Sequence, residues 1–271
     1  MEPYEEEIQV GHDCLFAPLK LIHPFRIADF WGAAAALTTS RAIRTIRAVD
    51  HGLVERLDDV YASRFDDEDA ARKDELWQVI GRHLQRYVPR DGAVLDLACD
   101  RGDFIRNVTA RERWGCDVRD VSAYLPEPIR FVRSDGLLIA EQLPTDHFDL
   151  VFMSNYLEHL PDGAAVIEQF RAVAAVLKPG GKAMVLQPNI SLTGDRYWDF
   201  IDHEVALNDR SLIEAAELAS FRTELLIRRF LPYTTKGRLP VSPRLADLYL
   251  RFRPAWALLG KQSLLIAVKP Q

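Results

Sequence analysis

Residues 148–154 read Phe-Asp-Leu-Val-Phe-Met-Ser, a short run that is apolar on both of its alternating faces. A strand of this kind needs cover above and below, which is the position of a central strand in a parallel sheet. A long amphipathic helical pattern follows over Ala164–Leu177. It is closed by Lys178-Pro-Gly-Gly181, and another apolar strand follows over Lys182–Gln187. Strand, helix and strand in that order specify a sheet with helices on both faces.

The same alternation extends in both directions. Strands are expected at Ala93–Ala98, Trp114–Val118, Ile129–Arg133, Thr223–Phe230 and Ser263–Val268, and helices at Glu75–Tyr87, Phe104–Arg111 and Ser211–Ala219. Ser211 with Glu214 three residues on has the pattern of a capping box. The fold class is therefore α/β, a Rossmann-like, seven-stranded, mostly parallel sheet. Residues 1–74 read as a helical appendage or lid, with apolar residues at helical spacing over Ile27–Leu37 and again at Ile43, Ile46 and Val49. Residues 75–271 form the main domain, carrying an insertion at about 233–261 with a helix-like run Arg244–Trp256.

Composition narrows the function classes. A chain of 271 residues with 48% apolar content can bury a sizeable core. A formal net charge of −6 argues against nucleic acid as the main partner, because phosphate binding wants a basic field. The three cysteines, Cys14, Cys99 and Cys116, have no close spacing, so neither a disulfide framework nor a metal site is expected. No signal peptide is read at the acidic start, and Ile27–Leu37 is too short to span a bilayer. A cytoplasmic location is expected.

The segment Val94-Leu-Asp-Leu-Ala-Cys-Asp-Arg-Gly-Asp-Phe104 runs from an apolar strand into a tight turn and then a helical pattern. In such sheets ligands bind outside the carboxyl ends of the strands, and a helix start offers free amide donors. Asp117 ends the next strand, 21 residues after Asp96, where an acid can accept hydrogen bonds from a ribose diol. At this point the sequence resembles the class I S-adenosylmethionine methyltransferases. Their first motif, an acid followed by Gly-x-Gly-x-Gly, matches Asp96, Ala98, Asp100 and Gly102 in part. Their ribose acid matches Asp117, and their adenine-side acid matches Asp135, beside Ser134. Their fourth-strand motif matches Phe148–His159, with Ser154 and Asn155 at the strand's end. Their turn into the fifth strand matches Leu177–Gly181. The resemblance implies S-adenosylmethionine as cofactor. The chain departs from the pattern at Ala98 and above all at Asp100, which puts a side chain where a glycine is usual.

Acceptor-side candidates lie beyond the fourth, fifth and sixth strands. His203, next to Asp202, and His159 are the candidate bases, with Tyr156, Gln187, Asn189, Tyr197 and Trp198 nearby in sequence. The region Trp198–His203 and the segment Phe230–Pro240 resemble methyltransferases of bacterial glycan or natural-product biosynthesis. The expected reaction is O- or N-methylation of a sugar or secondary metabolite. The alternative is a protein of this fold turned to non-methylating chemistry, such as a cyclisation, or to a non-catalytic role. A homodimer is left open, as is contact of the insertion with a membrane surface.

Overall fold

The computed structural model describes residues 67–233 and 242–271. The helices expected between Ile27 and Val49, and most of the appendage, lie outside the described residues. The first described helix, α1 (Asp67–Leu84), runs into a 3-10 turn at Gln85–Tyr87. Then come β1 (Ala93–Leu97), β2 (Glu112–Asp117), β3 (Arg130–Arg133), the short α2 (Ile139–Gln142) and β4 (Phe148–Ser154). The second half contains α3 (Gly163–Val176), β5 (Leu177–Pro188), the short α4 (Ile190–Thr193), α5 (Asp209–Leu218), β6 (Arg222–Ile227), α6 (Pro243–Arg251), α7 (Arg253–Leu259) and β7 (Gln262–Val268).

The seven strands form one sheet in the order β3-β2-β1-β4-β5-β7-β6. Every pairing among β1 to β5 is parallel, and only β7 runs against its neighbours. Both faces are buried, as the apolar runs require. Leu95, Leu97, Val151 and Met153 point into one core under α2, α3 and α5. Val94, Leu150 and Phe152 point into the other, with Val79 and Leu84 of α1, Leu250 of α6 and Trp256 of α7. Burying each such side chain contributes on the order of 1.5–3 kcal/mol before entropy is subtracted.

Three local expectations are corrected. The helix expected over Phe104–Arg111 is only a 3-10 turn, Ile105–Asn107. Val108 and Thr109 are β-branched, and Asn107 folds its side-chain amide back on to the Asp103 carbonyl at 2.9 Å, so the turn does not propagate. The helix expected from Ser211 starts two residues earlier. Asn208 is its cap, accepting from Arg210 N and Ser211 N, while the Ser211 hydroxyl completes the box from the third position. The Lys178–Gly181 stop lies within β5 itself, with a register irregularity opposite Phe148–Leu150.

Candidate active site

β1 and β4 are adjacent, but their crossovers leave in opposite directions, toward β2 and toward β5. The crevice beyond their carboxyl ends is therefore the topological switch point, where open α/β sheets bind ligands. The backbone is unusual on both of its sides. Ala98 (φ 57), Asp100 (φ 47) and Gly102 (φ 74) follow β1, and Asn155 (φ 48) follows β4. Left-handed backbone in non-glycine residues costs of order 1 kcal/mol each and clusters at functional sites. The turn after β1 thus keeps a glycine-like conformation with two of its glycines replaced. At Gly102 a Cβ would sit on a left-handed backbone and run into the Leu125 side chain, which would have to move aside.

The polar groups of this turn are engaged with one another. Asp96 is buried, and one carboxylate oxygen accepts from Ile105 N at 3.2 Å. Burial pushes its carboxyl well above the usual range, with Asp103, Asp117 and Asp100 adding repulsion. Asp117 is also buried. It accepts from Asp100 N at 2.9 Å, Arg119 N at 3.0 Å and Arg119 Nε at 3.3 Å. A carboxylate offers about four acceptor sites, so three donors leave room for a ribose hydroxyl. The Asp100 side chain is held between Arg119 at 2.8 Å and Lys73 of α1 at 3.0 Å, and Lys73 also reaches Asp103 at 2.7 Å. Burial opposes the charge on Asp100, but Lys73 and Arg119 outweigh it and bring its carboxyl down to about 2.

The residues after β3 serve the chain locally. Asp135 caps the turn Gly136–Leu138 by accepting from Leu137 N at 2.9 Å, and Ser134 donates to the Asp135 carbonyl. The expected start of a helix with free amides after β1 is not there: Ile105 N is taken by Asp96 and Arg106 N by the Gly102 carbonyl. Cys99 and Cys116 are buried, and burial raises both thiols, Cys116 to about 12, which keeps them protonated.

Across the crevice, the peptide that follows β4 meets the loop after β5. The Glu158 carbonyl accepts from Glu204 N at 2.8 Å and Val205 N at 3.1 Å, clamping residues 203–205 against Glu158–His159. This brings His159 and His203 together, with ring centroids 5.1 Å apart at 75°. His159 Nδ1 faces the Asp202 carbonyl at 2.8 Å and His203 Nδ1 faces the Tyr197 carbonyl at 2.5 Å. Glu158 is only 1% exposed and accepts from Gln187 Nε2 at 2.9 Å. Desolvation lowers the His203 imidazole, so it is neutral near pH 7.

The structure therefore gathers the candidate residues into two sets: Asp96, Ala98, Asp100, Gly102 and Asp117 on one side, His159 and His203 on the other. Ser154 accepts from the Asn155 side chain between them. Tyr156 and Asn189 are committed elsewhere, Tyr156 to Gln169 at 2.8 Å and Asn189 to Asp209 and Ser263. Sequence reasoning missed Arg119, Lys73 and Glu158. Arg119 carries a readable signal, a cation two residues past the ribose acid. Lys73 does not, being brought in by the packing of α1. A pocket of about 320 Å³ lined by Arg86, Asp149 and Lys178 lies at the amino ends of the strands, away from both sets.

Among known proteins, a family model described as a methyltransferase domain matches residues 64–229. A ubiquinone biosynthesis O-methyltransferase from Xylella fastidiosa (strain 9a5c) is 33% identical over 126 residues, covering 41% of this chain and 48% of that protein. The match thus spans about half the length of that curated relative. A SAM-dependent methyltransferase from Archaeoglobus fulgidus superposes with TM-score 0.52 at 19% identity, covering 71% of this chain and 94% of that one. The Haloferax volcanii methyltransferase solved with its Trm112 activator gives 0.55 at 18% identity, over 76% and 95%. At these identities the two structures establish the fold.

Proposed function

The chain belongs to the methyltransferase domain family, a SAM-dependent enzyme class, and from that premise we propose that it methylates a hydroxyl oxygen of a small biosynthetic acceptor, a sugar or secondary metabolite. The observation that carries this reading is the switch-point crevice, with the left-handed turn 98–102 and buried Asp117 on one side and paired imidazoles on the other.

The residues suit the cofactor's charges. Among the described residues, Asp100, Asp103 and Asp117 share Lys73 and Arg119, three carboxylates to two cations, an excess of one. A ligand carrying a sulfonium, an ammonium and a carboxylate has one net positive charge, which complements that excess. Asp117 would hold the ribose and the 98–102 turn the methionine half. When bound, the cofactor supplies a sulfonium methyl as the electrophile. Methyl transfer from a sulfonium is largely a matter of positioning, but a hydroxyl acceptor must also lose its proton. The carbonyls facing Nδ1 of His159 and His203 can only accept, so Nδ1 carries the hydrogen in each ring. Nε2 is then left with the lone pair that can take a proton. Paired imidazoles, together with the O-methyltransferase name of the Xylella relative, favour oxygen over nitrogen as the methylated atom.

A second reading, loss of methyl transfer with the fold retained, is favoured by one observation: Asp100 is tied by Lys73 and Arg119 inside the turn that would receive the cofactor. Calorimetric titration with S-adenosylhomocysteine separates the two. Saturable binding is expected for the full-length chain, followed by incorporation of labelled methyl into a hydroxylated acceptor library. No heat of binding at millimolar ligand would overturn methyl transfer in favour of the second reading.

A further inference from the structure

We infer that Glu158, His159 and His203 form a binding site for a divalent transition-metal ion of the zinc class. One nitrogen of each ring and one oxygen of Glu158 all lie within 4.8 Å of one another. Around a tetrahedral ion with bonds of about 2.0–2.2 Å, ligand atoms sit about 3.3 Å apart, so side-chain rotation of roughly an ångström closes the set. Two imidazoles and a carboxylate, with one position left for water or substrate, make a donor set suited to zinc. Magnesium and calcium prefer oxygen throughout.

Three further observations point the same way. Both rings present Nδ1 to a main-chain carbonyl, Asp202 for one and Tyr197 for the other. That fixes the tautomer with Nε2 free, as in the outer shell of metal-bound histidines. Glu158 is a fully buried carboxylate whose side chain has Gln187 Nε2 as its hydrogen-bond donor, and no lysine or arginine pairs with it among the described residues. A buried carboxylate without a cation is costly, and a bound ion removes that cost. Gln187, itself 1% exposed, keeps its other amide atom, Oε1, without a hydrogen-bond partner beside that carboxylate. The nearby Tyr197 hydroxyl gives its proton to the Val205 carbonyl instead. Access comes from the His159 side, since His159 is half-buried and His203 is buried.

The ion's role rests on the methyl-transfer reading; its binding does not. An acceptor hydroxyl in the open position would be acidified as a zinc-bound water is, losing its proton to solvent. Its oxygen would then form the new bond to the sulfonium methyl carbon, and the electron pair of the broken carbon–sulfur bond would stay on sulfur as the thioether. The ion thus takes over the activating task otherwise left to a free imidazole.

The test uses the full-length, tag-free chain, treated with EDTA and titrated with Co2+ alone. One equivalent should bind and give the visible absorption of four-coordinate cobalt, abolished by Zn2+ competition. X-ray absorption on the wild-type complex should report two imidazoles. His159→Gln and Glu158→Gln should each weaken binding by about 10-fold or more, while His147→Gln, near the start of β4, should not. The wild-type spectrum tests the site even where a variant fails to fold. Absence of the cobalt band, a complex without imidazole, or undiminished binding in both folded variants would overturn the site. S-adenosylhomocysteine titrated into the metal-free protein reports separately. Cofactor binding without Co2+ binding sinks the ion site alone. Co2+ binding without cofactor binding leaves the site standing and sinks methyl transfer.

Discussion

The two sides of the crevice solve the problem of buried polarity in opposite ways. Beyond β1, the carboxylates of Asp96, Asp100 and Asp117 are met by backbone amides, Lys73 and Arg119. Beyond β4, Glu158 and Gln187 satisfy only part of each other, and two imidazoles keep a lone pair. The first side is an ionic network largely satisfied from within, with an acceptor position of Asp117 still open to a ligand. The second holds unused acceptors that a ligand, proton or ion can take directly. Substitutions on the β4 side should therefore act on the chemical step, and those on the β1 side on cofactor affinity or on stability.

The largest effect is expected on the β4 side. His203→Ala should lower turnover by about 10²–10⁴ while leaving S-adenosylhomocysteine affinity unchanged. Steady-state kinetics beside calorimetry read both, and normal turnover at neutral pH would break the division of labour. Next comes Gly102→Ala on the β1 side. The new Cβ sits on a backbone at φ 74 and displaces the Leu125 side chain, so the chain should lose about 1–3 kcal/mol of stability in denaturant unfolding. A loss below 0.5 kcal/mol would mean that the turn can relax. Asp117→Ala should weaken S-adenosylhomocysteine binding by roughly 1–3 kcal/mol, the cost of losing a hydrogen bond to a charged group. Unchanged affinity would remove Asp117 from the cofactor side.

How much of this was readable before folding differs between the two sides as well. Central strands were legible because a run such as Phe148–Ser154 has no other stable burial. The place of Asp117 at the end of the second strand was legible because it is local information. The helix expected at Phe104–Arg111 failed because a general pattern was extended through Asn107, Val108 and Thr109, where local hydrogen bonding and β-branching end the turn. Lys73 could not be read, since it is 27 residues from Asp100 and only the docking of α1 brings them together. Glu158 stood inside the Phe148–His159 match with no role of its own. Its role depends on Glu204 and Val205 returning from beyond β5, a long-range pairing that no spacing rule encodes.

The smallest effect, and the one that decides how closed the β1 side is, concerns Asp100. Its folded carboxyl titrates at about 2, below the ordinary 3.8, because Lys73 and Arg119 favour the charged form. A depressed carboxyl contributes stability that is present above the unfolded value and lost as pH falls through the folded one. The network should therefore give up its contribution between about pH 4 and 2. The side chain is 33% exposed, so solvent screening keeps that contribution to about 1 kcal/mol. In Asp100→Gly two terms oppose each other. Removing the side chain relieves a left-handed residue at φ 47, a gain of about 1 kcal/mol, but it strips Lys73 and Arg119 of a shared partner. Net stability at pH 7 should move by less than about 1 kcal/mol, and the acid slope between pH 4 and 2 should flatten. Cofactor affinity separates the remaining possibilities. If Asp100 merely tolerates the cofactor, the glycine variant should bind S-adenosylhomocysteine as well as wild type or more tightly. If the carboxylate meets the ligand's ammonium, the variant should bind more weakly, and Asp100→Asn should fall between the two. If only the variant binds, the ion pairs with Lys73 and Arg119 are what close the turn in the natural chain, and the wild type is a fold retained without its methyl donor.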